Sequence, residues 1–314
     1  DRRSALAPGA GAIDEGGARD YPTGMIYRTE RDWLSAPDRR VTFFGMSGLG
    51  KTHMAQLMRE AGDWFHYSID YRIGTAYMGE HINDNLKREA MRVPFLRKLL
   101  RSDSIYIGSN IAFENLAPLS TYLGQPGDPA RGGLPMAEYE RRQELHQRAE
   151  VNALLDTPHF IERARDIYGY DQFVCDTGGS ICEVVDPDDR ADPALGALHA
   201  NSLMVWIEGT PDHTATLIER FSRDPKPMCY RPAFLAAQWR DYLDRTGTQP
   251  DKVDPNAFAI HAYAAAITER HPRYAAMARN WGVTVTAADV STVRDAADVI
   301  ALVGAALGRA SPTA

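Results

Sequence analysis

Cysteine is scarce in this chain: 314 residues hold three, Cys175, Cys182 and Cys229. An odd number excludes a fully paired disulfide framework, and none of the three stands in a CxxC pair of the zinc-finger or zinc-ribbon kind. Reduced, structural thiols fit best. No apolar run approaches the roughly 18 residues that a bilayer requires, and the first thirty residues carry acids where a secretory signal keeps its apolar core. Excess positive charge is missing too: 35 Lys and Arg stand against 42 Asp and Glu, for a formal net charge of -7. That balance argues against a surface built to neutralise nucleic-acid phosphates or to bind acidic membranes. The nine histidines show neither HExxH nor paired ligand spacing, so a structural metal site is not expected. What is present, 44% hydrophobic and 25% charged residues, excludes a disordered or fibrous chain and suffices for a sizeable core. A cytoplasmic globular protein without nucleic-acid or membrane partners is the expectation.

Periodicity supplies the organisation. Val41-Thr42-Phe43-Phe44 is a short apolar run followed by glycines and then by Met54, Leu57 and Met58 at helical spacing: strand, loop, helix. Phe65 to Ile69 reads as a second strand with a helix over Ile73 to Met91, Gln172 to Cys175 as a third after a helix from Pro158 to Tyr168. Leu203 to Ile207 reads as a fourth before a helix from Asp212 to Phe221, and Val283 to Val285 as a fifth before a final amphipathic helix. Continuous apolar strands are buried on both faces, and their alternation with helices predicts an α/β fold, a parallel sheet covered on both sides. Asp1 to Thr23 lacks apolar periodicity, and residues 1–39 are expected to be an extension, flexible in part. About Arg88 to Glu150, with its turn-rich Gly124-Gln125-Pro126-Gly127-Asp128-Pro129 and a charged helix from Met136 to Leu155, reads as a cap inserted into a single domain over residues 40–314.

The strongest chemical signal is Gly45-Met46-Ser47-Gly48-Leu49-Gly50-Lys51-Thr52, a GxxxxGK[ST] loop between a predicted strand and a predicted helix. Glycines let successive backbone N–H groups turn inward around a β-phosphate, and the helix N-terminus adds positive potential. Lys51 is placed to bridge the β- and γ-phosphates, and Thr52 to offer its hydroxyl to Mg²⁺. ATP and Mg²⁺ are therefore the expected cofactors. In open α/β sheets the remaining strand ends build the rest of the site. Here they are Ser68-Ile69-Asp70-Tyr71-Arg72, Asp176-Thr177-Gly178-Gly179-Ser180, and the stretch from Arg220 through Arg223 to Lys226-Pro227-Met228, followed downstream by Arg270-His271-Pro272-Arg273-Tyr274.

That ordered set resembles the shikimate kinase family, within the wider group of nucleoside-monophosphate-kinase-like P-loop kinases, over about half of the chain. The resemblance implies a three-layer P-loop sandwich with a five-stranded parallel sheet, a helical cap, and a lid over about residues 220–231. It implies that Asp70 meets the acceptor hydroxyl and takes its proton, that Gly178 and Gly179 form a turn close to the substrate, and Arg72 is expected to join them in binding it. Arg220 would lie over the adenine, Lys226 or its rival Arg223 would reach the ATP phosphates, and Arg270 would hold an anionic group of the substrate. Departures are informative. Where the family shows Asp-x-Asp after strand two, this chain has Ser68 first, so the metal needs another carboxylate, and Asp176 sits as a Walker-B acid would. The family's third glycine is Ser180, and its second substrate-binding arginine has no clean counterpart. The expected activity is transfer of the ATP γ-phosphate to a hydroxyl of a small anionic metabolite other than shikimate. The alternative is a P-loop ATPase that regulates or assembles a protein partner bound through residues 88–150.

Overall fold

A computed structural model describes residues 25–310, so the reading of Asp1 to Thr23 lies outside the described residues. The five anticipated strands form one sheet: β1 (Arg40–Phe44), β2 (Trp64–Ser68), β3 (Gln172–Asp176), β4 (Leu203–Glu208) and β5 (Gly282–Thr286). All neighbours are parallel, in the order β2-β3-β1-β4-β5. The chain leaves β1 toward β2, returns with β3 against β1, and crosses to the other side with β4. The carboxyl end of β1 therefore faces the crevice where strand order reverses, the usual ligand position in such sheets.

Consecutive residues Val41 to Phe44, Phe173 to Asp176 and Leu203 to Ile207 are all buried. A strand whose successive side chains point to opposite faces can be buried throughout only if both faces are covered. One helical group comprises Lys51–Glu60, which packs on β2 and β3, and Ala296–Ala310, which packs on β5 and on Lys51–Glu60. The other comprises Met136–Leu155, Thr157–Tyr168 and Pro193–Asn201, with the 27-residue Pro255–Trp281 joined to it where His199 Nδ1 meets the Trp281 carbonyl at 2.8 Å.

Three sequence expectations need correction. The extension does not run to residue 39. Glu30–Ser35 is a helix with a Thr29/Asp32 capping box, and Trp33 is wholly buried against the last helix, its Nε1 donating to the Ile300 carbonyl at 2.8 Å. Nor is Ile73 to Met91 one helix. A single turn at Ile69–Arg72 passes into a π-helical turn at Ile73–Tyr77, and a regular helix starts only at Gly79–Ala90. Finally, residues 88–150 are not a cap set apart from the sheet layers. Their last segment is the front of the helix Met136–Leu155, which buries Tyr139, Gln143, His146, Ala149 and Glu150. Tyr139 also joins Tyr230, Phe234, Leu235, Val253 and Phe258 in a small second core beside the sheet. Among the described residues no helix is long and apolar enough to cross a membrane.

Candidate functional site

Chain reversal directly after β1 demands backbone geometry that side chains resist. Gly45, Gly48 and Gly50 have φ of +136°, +87° and +104°, the left-handed region open to glycine. A Cβ on Gly50 would also stand 2.6 Å from Val290 Cγ1. The loop delivers its N–H groups to the N-terminus of Lys51–Glu60, where the helix dipole favours an anion. Lys51 is buried and donates to the carbonyls of Gly45 at 2.8 Å and Met46 at 3.0 Å. Burial pushes its ammonium down to about 8, against the pull of the Asp70 and Asp176 carboxylates.

Behind the loop, β3 ends at Asp176, paired in register with Ser68 of β2. Thr52 Oγ1 donates to Asp176 Oδ2 at 3.0 Å, and His66 Nε2 lies 3.1 Å from Oδ1. The predicted hydroxyl and carboxylate are thus adjacent, as a shared magnesium site requires. His66, which the sequence reading passed over, is a further partner; its signal was the alternation that puts His66 and Ser68 on one face of β2. A cleft of about 320 Å³ opens over Ser47, Gly48, Gly50, Lys51 and Thr52 and continues to Asp70, Thr177 and Gly179. The Thr177 hydroxyl is buried without a hydrogen-bond partner.

The glycine turn after β3 is built for close approach. A Cβ on Gly179 would fall 2.3 Å from Ser47 Oγ, and one on Gly178 2.5 Å from Asp70 Oδ1. Asp70 is half-buried; burial raises its carboxyl to about 6, the Asp176 charge adding to the effect and Lys51 opposing it. On the far side of Asp70 lies a second, mainly apolar pocket of about 250 Å³ whose walls include Leu116, Leu119, Leu123, Phe221 and Met228, with Lys226 among its lining residues. Ser47, Asp70 and Gly179 line both spaces.

The arginines depart from expectation. Arg270, 1% exposed, does not reach the pocket. Its Nε donates to Glu183 Oε1 at 2.6 Å, Nη1 to the Gly179 carbonyl at 3.0 Å and Nη2 to the Cys229 carbonyl at 2.6 Å. Burial works against its charge, but the Glu183 carboxylate more than compensates and its pKa is raised. The Arg-x-Pro-x-Tyr segment lies inside the helix Pro255–Trp281, which leads directly into β5, and Tyr274 Oη also donates to the Gly179 carbonyl, at 2.7 Å. These residues hold the glycine turn in place. Arg72 points elsewhere, its Nε 2.8 Å from Asp156 Oδ2 and its guanidinium 5.0 Å from the Phe160 ring centre. Arg223 is exposed and pairs with Glu219 on its own helix, Pro211–Arg223. Arg220 comes nearer: its Nη1 is 4.0 Å from a Cβ placed on Gly48. The lid expected at 220–231 divides into the end of that helix, a short open segment with Lys226 exposed beside Asp224 at 3.5 Å, and Met228–Tyr230 bonded to Met136–Leu155.

Cys182 and Glu183, adjacent to the glycine turn, are both buried, and burial lifts the Cys182 thiol to about 11. Compared with protein-family models, with curated proteins and with solved structures, the chain finds no match in any of the three.

Proposed function

We propose that the chain is an ATP-dependent phosphotransferase that moves the γ-phosphate to a hydroxyl of a small metabolite. The observation that carries this reading is the meeting of two spaces at one carboxylate. A phosphate cradle with Lys51 and Thr52 and an apolar pocket next to it share Ser47, Asp70 and Gly179. An acceptor seated in the pocket would present its hydroxyl past Asp70 to a nucleotide in the cradle, the in-line arrangement that phosphoryl transfer needs.

Asp70, ionised above about pH 6, orients that hydroxyl and accepts its proton. Lys51 and the N–H groups of the loop balance the charge spread over the transferred group. Thr52 and Asp176 are the residues that would hold Mg²⁺, which supplies charge neutralisation between the phosphates when bound. Arg220 and Lys226 are the cations left to close over the nucleotide, with Arg223 facing solvent. With Arg270 and Arg72 engaged in the framework, the proposed acceptor is less a compact anion than a molecule with an apolar part and a limited charge near Lys226.

The test is ATP consumption with Mg²⁺ over a panel of hydroxyl-bearing metabolites, products being read by mass spectrometry. A phosphorylated product lost in Lys51→Ala and lowered at least about 100-fold in Asp70→Asn, as expected for a general base, supports the proposal. Slow hydrolysis indifferent to every acceptor overturns it. That outcome would favour the ATPase that binds a protein partner, for which Phe95 and Tyr106, 71% and 85% exposed on the 88–150 segment, are the motivating observation.

A further inference from the structure

Next to the apolar pocket, three side chains of metal-binding type meet without serving any step above. His146 and Glu150 stand one turn apart on the helix Met136–Leu155, hence on the same face. Cys229 reaches them from the segment that precedes Pro232. An imidazole nitrogen, a carboxylate oxygen and the thiol sulfur all lie within 4.8 Å of one another, and His146 Nδ1 is 3.9 Å from Glu150 Oε2. The residues are 6%, 0% and 3% exposed. His146 Nδ1 and Glu150 Oε1 are buried with no hydrogen-bond partner. A buried polar atom left unpaired costs about 1–3 kcal/mol, so two on residues clustered with a thiol call for a ligand among them.

We propose that His146, Glu150 and Cys229 bind a divalent transition-metal ion of the zinc type, leaving a fourth coordination position open toward the apolar pocket. Nitrogen, oxygen and sulfur together suit zinc and its neighbours, whereas magnesium and calcium take oxygen only. The site is therefore chemically distinct from Thr52 and Asp176. Charge balance favours it: a thiolate and a carboxylate offset the dication, and a neutral imidazole adds nothing, so no net charge is buried. On binding, the thiol and the carboxyl each give up a proton to solvent as their bonds to the metal form.

Metal–ligand bonds of about 2.0–2.3 Å put tetrahedral ligands about 3.3–3.8 Å apart. The nearest His146–Glu150 approach, 3.9 Å from Nδ1 to Oε2, and the other separations of up to 4.8 Å lie outside this range, and side-chain rotations that move the ligand atoms by about 1 Å bring them into it. The backbone holds the third ligand in position. Gln143 bonds both neighbours of Cys229, donating to the Met228 carbonyl at 2.9 Å and accepting from the Tyr230 N–H at 2.9 Å, while Arg270 holds the Cys229 carbonyl. Ser180 Oγ donates to Glu150 Oε2 at 2.7 Å, the outer hydrogen bond that orients a ligating carboxylate. His146 and Cys229 also line the apolar pocket, so the fourth ligand, water or a donor atom of the pocket's occupant, would come from there. This inference stands apart from the phosphotransferase reading, and its readouts involve neither nucleotide nor turnover.

The experiment titrates Zn²⁺ and Co²⁺ into the whole chain after dialysis against a chelator. One equivalent should bind, and the cobalt form should show a sulfur-to-metal charge-transfer band with the intense visible bands of tetrahedral coordination. Cys229→Ser should lose the charge-transfer band, and Glu150→Gln should weaken zinc binding by more than about 10-fold, both with unchanged circular dichroism. Absence of tight binding overturns the proposal, as does a cobalt spectrum without the sulfur band, or equal zinc affinity in wild type and Glu150→Gln, which would put the metal at His66 and Asp176 instead. If a variant fails to fold, the wild-type cobalt spectrum still decides.

Discussion

Replacing Arg270 by Met separates a framework role from a substrate-binding one. The guanidinium is enclosed, and its loss strips the buried Glu183 carboxylate of its 2.6 Å partner and the Cys229 carbonyl of its donor. The Gly179 carbonyl keeps Tyr274 Oη at 2.7 Å, and Glu183 Oε2 keeps Arg231 Nε at 3.0 Å. Removing one member of a buried pair costs about 3–5 kcal/mol, and the surviving Arg231 contact places this case at the lower end, about 3 kcal/mol. For a domain of this size about 2–4 °C is lost per kcal/mol, so the melting temperature should fall by about 6–12 °C. The assay is thermal or guanidinium unfolding followed by circular dichroism, with Glu183→Leu added in the same background. The double variant should recover part of the loss, because no orphaned carboxylate remains. An unchanged melting temperature together with a raised KM for the acceptor would refute the reasoning and return Arg270 to the substrate.

Two further outcomes follow from the same geometry. With Asp70 raised to about 6 and Lys51 lowered to about 8, both chiefly by burial, kcat/KM should be bell-shaped. Activity rises as Asp70 loses its proton and falls as Lys51 loses its charge; an acid limb near 4, the ordinary carboxylate range, would remove Asp70 as the base. Trp33→Ala should destabilise the chain by about 3–5 kcal/mol, since the ring is wholly buried and its Nε1 is bonded to Ile300. A loss below about 1 kcal/mol in chemical denaturation would show that residues 25–39 are dispensable to the fold.

Much of the scaffold was legible because it rests on local signals. All five strands fall within about two residues of their apolar runs, and the GxxxxGK[ST] spacing located the glycine loop between β1 and Lys51–Glu60. Asp176 stood out as a carboxylate closing a buried strand, and the fold places it within hydrogen-bond distance of Thr52. What escaped was tertiary. Arg270 reads as a substrate-binding arginine, yet on the helix Pro255–Trp281 it is buried against Glu183, 87 residues away. The π-helical turn at Ile73–Tyr77 leaves no mark in the hydrophobic pattern. His146 and Glu150 did leave one, a four-residue spacing on a single helix, but their partner Cys229 is distant in sequence and only the fold brings it alongside.

The bonding of Met228–Tyr230 to the long helix has a kinetic and entropic consequence. Tyr139 and Gln143 hold the Met228 carbonyl, and Gln147 holds that of Tyr230 at 2.6 Å. Fixing three residues of backbone costs roughly 3–6 kcal/mol, and here that ordering is complete once the chain has folded. Only the stretch from Asp224 to Pro227 lies between the helix end and this anchor. A flap so short and tethered at both ends travels a small distance, and its closing should be quick compared with the hinging of a free lid.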